Sequence, residues 1–533
     1  APDGGFGVLA VSNTRTGLVL AAWMDTRGEV NYTPSIHGNG SLITFAFANH
    51  RFYRMPPRSF DVQSVTVCLS KLLAGFSIES DVNQIHVVAG GLPAALRCYR
   101  QMVSETMPLD PSTPGWVKEA IILEVYPKYF KGGLKELTQK LPFYRKIGFN
   151  TIYLMPHWIG GYSPIDQFQV DPSLGTADDL REMVRTAHSL GMRVLFDMVI
   201  HGFNEKSPIV QQRPELFIRN EDGTIARHPA WKSMSTDWAS SDYQQYMVDL
   251  VLHDLKEYDI DGYRVDAASY KGANWFPDIP YPAYRSGTAA PELMRRMISA
   301  MRRIKRDAVL LSEVFGPVFY TASNLVHDNQ TEAPQQLLEM MDRGEANAAT
   351  YKAHMANVFD MLPRGANRVF FARNHDTSWF YHFNGYTRRF LALDAIHALC
   401  AVPEVFAGDP DHGPNPDDDP AVYEYYRRLF ALRAEYPEIT RGELLLREVN
   451  SDNPWIFTAV RRHKAQALLI VVSLSDQAVS TEISFDGAVT PKRDLIQLRD
   501  PINEETVEAV SQKESGRLVL KLKPFQVLVG RIF

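Results

Sequence analysis

Cysteine is scarce: the 533 residues hold only Cys68, Cys98 and Cys400. Three thiols make neither a disulfide framework nor a cysteine-rich metal cluster, and leave a Cys68–Cys98 bridge as the one pairing to consider. Long apolar runs are missing too, so no membrane span of roughly 20 residues is expected. Positive charge does not prevail, since 56 Lys and Arg stand against 62 Asp and Glu for a net charge of −6. That balance argues against a nucleic-acid surface and suits a neutral, solvated substrate. Internal repeats and low-complexity tracts are absent. The first residue is Ala1 rather than Met, read here as a processed or trimmed end, and three Asn-x-Ser/Thr triplets are too few to fix a compartment.

What is present reads as three domains, because the chain exceeds what one core sustains. Residues 1–103 are strand-rich and turn-punctuated (Gly17–Trp23, Ser41–Phe47, Val62–Cys68), which predicts a β-sandwich-like domain ending in a helix over Leu92–Val103. A proline-rich linker spans 104–115. From Trp116 to about residue 440 apolar strands alternate with amphipathic helices, the pattern of a parallel α/β fold. Thr176 and Asp179 form a capping-box pattern ahead of the face Leu180, Met183, Val184 and Ala187. Pro291 opens a helix whose inward face is taken to run through Ile304, with Arg295, Arg296, Arg302 and Arg303 on a solvated face. Strand six of this series is the weakest and is placed between Gln335 and Met361. Residues 441–533 return to strands and predict an antiparallel β domain.

The chain is organised around Asp259-Ile-Asp-Gly-Tyr-Arg-Val-Asp-Ala-Ala-Ser269. Arg264 and Asp266 share parity, so both side chains point to one face of a buried strand. Alone, such a pair reads as a structural ion pair. Three further strands run into polar residues at their C-terminal ends: Arg193–Val199 brings Asp197, Val309–Phe315 brings Glu313, and Val369–Asp376 brings His375 and Asp376. In a (β/α)8 barrel those ends converge on one mouth. Several carboxylates, an arginine and a histidine around one cavity make a glycosidase inventory.

Gly262-Tyr-Arg-Val-Asp-Ala267, a strand-borne Glu313 and Asn374-His-Asp376, in that order, resemble the α-amylase superfamily of glycoside hydrolases, family thirteen, over Ile121 to about Ala434. The resemblance implies a TIM barrel flanked by the two β domains, Asp266 as nucleophile, Glu313 as general acid/base and Asp376 as the carboxylate that steadies the transition state. It also implies substrate contacts from Arg264, His375, Asp197 and the aromatic Tyr162. The chemistry asks for the same types: an ionised nucleophile that Arg264 would hold, an acid kept protonated by an apolar setting, and carboxyls about 5–5.5 Å apart for retention. The expected partner is a carbohydrate, with no nucleic acid and no membrane.

Departures from the family pattern carry information. After strand three the family reads Asp-x-Val-x-Asn-His, whereas here Asp197-Met-Val-Ile-His201-Gly202 stands. His201 replaces an asparagine that often helps hold calcium, so no metal or other cofactor is expected from that motif. Gly202 replaces a sugar-binding histidine, which points to an atypical sugar, a substituted O6, or His201 acting in its place. The Lys-His after the nucleophile strand is Ser269-Tyr270, and ordinary starch endo-hydrolysis loses ground. Loops bearing His157-Trp158, Trp275 to Tyr284 and Trp379 to Phe383 are expected to wall the cleft. The acidic loop Asp409–Asp419 lacks EF-hand order and reads as solvated. The favoured function is retaining hydrolysis of an α-linked oligo- or polysaccharide. Transfer to a second sugar stays open with the same triad, and a non-catalytic carbohydrate-binding protein on this fold would be expected to have lost a triad residue.

Overall fold

A computed structural model describes residues 8–13, 15–24, 32–39, 42–49, 53–55, 58–60, 83–268, 271–327, 333–380, 385–408, 419–491, 495–512 and 516–533. The bridge considered for Cys68, the strand expected over Val62–Cys68, Ser269-Tyr270, residues 381–384 and residues 409–418 lie outside them. Eight parallel strands close a barrel: β1 Ile122–Val125, β2 Thr151–Leu154, β3 Arg193–Val199, β4 Gly262–Asp266, β5 Val309–Ser312, β6 Leu325–His327, β7 Arg368–Phe370 and β8 Val402–Phe406. Each pairs with its sequence neighbour, and β8 returns to β1. The strands are short and buried on both faces, so apolar runs rather than alternation mark them.

Ile122, Tyr153, Leu195, Val309, Leu311, Leu325, Val369, Val402 and Phe406 form the interior cluster. Parity then sends Glu124, Asp197, Arg264, Asp266, Glu313 and Glu404 to the same inner face, toward the C-terminal ends. A larger apolar cluster joins the outer strand faces to the helices. Helix Ala177–Ser189 starts on the capping box, with Thr176 Oγ1 accepting from the Asp179 N–H at 3.2 Å. Its predicted apolar face is buried.

Three expectations fail here. Strand six is not within 335–361, which forms helices Ala333–Asp342 and Ala348–Met361. It is the three-residue Leu325–His327, too short to show a period and flanked by the polar Asn324. The helix opened by Pro291 ends at Arg302, leaving Ile304 51% exposed. Its arginines are also not simply solvated: Arg302 donates to Asp110 of the linker (2.7 Å) and to Asn324 (2.8 Å), tying the linker to the barrel.

In the N-terminal region, strands Val8–Asn13, Leu18–Met24 and Asn83–Ala89 make an antiparallel sheet, and Tyr32–Asn39 with Leu42–Asn49 makes a separate hairpin. Helix Gly91–Thr106 packs Ala95, Tyr99 and Val103 into the same cluster as Val19, Ala21 and Trp23. Beyond the barrel, Glu443–Arg531 contributes a nine-stranded sheet of antiparallel pairs. Buried Arg461 donates to Leu399 O (3.1 Å) and Lys352 to Thr458 (2.8 Å), so polar bonds as well as apolar packing seat it on the barrel. No helix among the described residues is long and apolar enough to cross a membrane.

Candidate active site

At the mouth a single guanidinium gathers three carboxylates. Arg264 is fully buried. Its Nη1 donates to Asp266 Oδ1 at 2.6 Å and lies 3.1 and 3.3 Å from the two oxygens of Asp197. Nη2 stands 3.0 Å from Glu313 Oε1, an ion-pair distance without the angle of a hydrogen bond. Asp197 also accepts from Tyr162 (2.6 Å), Tyr153 (2.9 Å) and its neighbour's backbone, the Met198 N–H (2.8 Å), which fixes the carboxylate against β2 and β4. Surrounded by Asp197, Glu313 and Asp266, Arg264 stays charged despite burial.

Asp266 and Glu313 are both pushed up, chiefly by burial, which Arg264 opposes. Neighbouring charges then add to the rise: Asp197 and Asp376 for Asp266, which reaches about 6, and Asp266 and Asp376 for Glu313, which reaches about 7. Glu313 Oε2 accepts the Ala267 N–H at 2.5 Å. Ala267 holds φ 42°, a left-handed conformation uncommon for a residue with a Cβ, and that bend turns the amide toward the acid.

Asp376 opens a short helix, His375–Phe380. His375 bonds Glu124 through Nδ1 and places Nε2 3.5 Å from Asp376 Oδ2. Burial pulls its pKa down, but Asp376 and Glu124 overcome it and hold the ring charged, up to about 10. Tyr162 stacks on that ring with centroids 5.3 Å apart and planes 6° apart. All eight residues singled out from the sequence therefore meet here, together with Tyr153 and Glu124, which the sequence reading missed. A glutamate inside the apolar Ile121-Ile-Leu-Glu-Val was the available signal for the latter.

His201 lies against the opposite side of Asp266, Nε2 standing 3.4 Å from Oδ2. Burial lowers its pKa to about 3, so the ring is neutral. Ser233 Oγ, 3.3 Å from Nδ1, can donate there and leave the proton on Nε2 facing Asp266. Buried Lys271 caps the His201 carbonyl (3.0 Å) and bonds Thr236 (2.7 Å). Burial lowers the Lys271 pKa well below the ordinary lysine value, and its Nζ takes up the His201 carbonyl oxygen.

Gly202 has a steric cause. A Cβ there would stand 2.6 Å from both Met234 O and Ser233 Oγ, because Gly202–Phe203 pairs with Met234–Ser235. The family's histidine has no room while this loop is seated. Gly202→Ala is expected to destabilise by about 1–3 kcal/mol, read as a fall in Tm; an unchanged Tm would show that the loop yields freely.

The aromatic loops are only partly at the cleft. His157 and Trp158 are buried, His157 packing on Phe196 (4.3 Å) and held near pKa 3 by burial alone, so they belong to the shell and do not wall the mouth. Phe276 lies under Arg219 (3.6 Å) and Tyr281 donates to Asp237 (2.8 Å), joining the loops after β3 and β4. Asp419 caps helix Pro420–Glu435 through the Ala421 N–H (2.8 Å). A cavity of about 750 Å³ opens at the other end of the barrel, lined by Arg97, Arg100, Arg364 and Asp360, and contains none of the mouth residues.

The sequence and the fold have relatives. The family model described as alpha amylase, catalytic domain, matches residues 88–213. Over that segment the chain is similar to the catalytic domain of alpha amylases. A cyclomaltodextrinase of Thermoanaerobacter pseudethanolicus is 20% identical over 459 residues, 73% of this chain and 75% of that protein. A maltogenic alpha-amylase of Bacillus acidopullulyticus is 20% identical over 458 residues, covering 72% and 74%. Among solved structures, a noncanonic maltogenic alpha-amylase of Thermotoga neapolitana superposes with a TM-score of 0.64 at 21% identity, over 78% of this chain and 99% of that one. The matched family segment ends before β4, so Asp266, Glu313 and Asp376 rest on the motifs and the geometry described above.

Proposed function

We propose that this protein is a retaining glycoside hydrolase of the α-amylase superfamily that cleaves α-linked bonds of an oligo- or polysaccharide by double displacement. The observation that carries this is the clamp of Arg264, whose adjacent nitrogens hold Asp266 and face Glu313. Two carboxyls on one guanidinium suit the short separation of a retaining pair better than the wider gap of an inverting one. Asp266 attacks the anomeric carbon while Glu313 gives its proton to the departing glycosidic oxygen. Glu313, now a carboxylate, then takes a proton from water as the water displaces Asp266. Asp376, braced by charged His375, and Asp197, locked by four donors, provide negative charge beside the oxocarbenium-like transition state. Tyr162 offers an aromatic face. Hydrolysis is favoured over transfer by the likeness to proteins named cyclomaltodextrinase and maltogenic alpha-amylase.

The order of the two titrations supports these roles. Asp266, at about 6, must be ionised, so activity falls as pH drops through that value. Glu313, at about 7, must be protonated, so activity falls as pH rises past it. Activity on a panel of α-linked glycans is expected to give a bell in kcat/KM with limbs near those two values and a maximum between them. A profile still climbing at alkaline pH would contradict Glu313 as the acid.

A further inference from the structure

We propose that Trp231 is a stacking platform for a sugar ring of the substrate, held beside Asp266 by the loop that follows β3. This rests on the hydrolase reading above, with Asp266 as the attacked ring's partner. Trp231 is 52% exposed, yet two buried imidazoles that touch each other pack against it and hold it in place. Its ring stacks on buried His228 at 4.2 Å and 23°, and lies tilted over His201 at 4.6 Å and 41°. His201 in turn reaches Asp266 at 3.4 Å. The indole therefore stands one imidazole away from the nucleophile.

The turn that presents it is built at some cost. His228 Nδ1 accepts from the N–H groups of Ala230 (3.2 Å) and Trp231 (3.3 Å), which requires a neutral ring, and burial with the nearby His201 and Lys271 keeps it so. The His228 N–H donates to Ser233 O (2.7 Å), and the Lys232 N–H donates back to His228 O (3.0 Å). Lys232 sits at φ 61°, a left-handed position for a residue with a side chain. Ser233 closes the circuit on His201. An exposed tryptophan that only covered the surface would need none of this; a platform must be rigid before the sugar arrives.

The same loop explains why the platform is at this place. By occupying the space a Cβ of residue 202 would need, it removes one polar contact to the sugar and leaves an aromatic wall, His201, His228 and Trp231, in its stead. Recognition on this side shifts from hydrogen bonding toward stacking on the apolar face of the ring.

The test compares wild type, Trp231→Ala and Trp231→Phe on maltotriose, or on whichever α-glycan of the panel wild type turns over. Trp231→Ala is expected to raise KM about ten-fold with kcat within about two-fold and Tm unchanged, and Trp231→Phe to recover most of the loss. Indole emission of Asp266→Asn should shift on adding the sugar, and this shift should be lost in Asp266→Asn with Trp231→Phe. An unchanged KM, a phenylalanine variant as weak as alanine, or a KM defect that tracks a falling Tm overturns the platform. Wild type inert on every glycan would instead sink the hydrolase reading.

Discussion

Asp266→Asn lowers turnover by about four orders of magnitude or more while leaving glycan binding intact. The loss is large because the amide cannot form the glycosyl ester, and Glu313 alone only protonates a leaving group. The fold has little reason to suffer. Asp266 is charged against burial and against Asp197 and Asp376, so a neutral isostere relieves repulsion. Arg264 keeps Asp197 at 3.1 Å and Glu313 at 3.0 Å. Thermal unfolding should show a Tm equal to or above wild type, which separates lost chemistry from lost structure. Wild-type rates in this variant would contradict Asp266 as the nucleophile, whereas binding without turnover in both proteins would return weight to a carbohydrate-binding protein on this fold.

Arg264→Met has the opposite signature: the fold pays first. Arg264 is fully buried among three carboxylates, and removing one partner of a buried ion cluster costs about 3–5 kcal/mol. It is also the strongest influence keeping Asp266 and Glu313 down, so both carboxyls titrate higher without it. The variant should unfold at a clearly lower temperature, with any residual activity displaced to higher pH. Arg264→Lys restores a charge but not the fork that reaches two carboxyls at once, and should recover stability more than rate. A stable, active methionine variant would show that the carboxyls do not need the clamp.

Much of this site was legible in the sequence because strand parity is strict. Arg264 and Asp266 two apart on a buried strand must face together, and strand ends in a barrel must converge. Asp197, Glu313, His375 and Asp376 followed from where apolar runs stop. Strand β6 was not legible, since Leu325-Val-His327 is shorter than any detectable period and the helices after it carry the stronger pattern. Nor was the fate of aromatic loops: nothing local distinguishes His157 and Trp158, folded back under the shell, from Trp231, left half-exposed on the loop after β3. That difference is made by partners distant in sequence, as with Arg302 and Asp110. Gly202 shows the limit most clearly. The sequence marked it as a departure, but only the backbone of residues 233–234 says why a side chain is excluded.

The most direct measurement is the anomer of the first product released from an α-linked glycan, followed by NMR before mutarotation, with Asp266→Asn alongside. Double displacement through Asp266 predicts an α-product from wild type and none from the variant. A β-product would mean single displacement by water, and Asp266 would then be a base rather than a nucleophile.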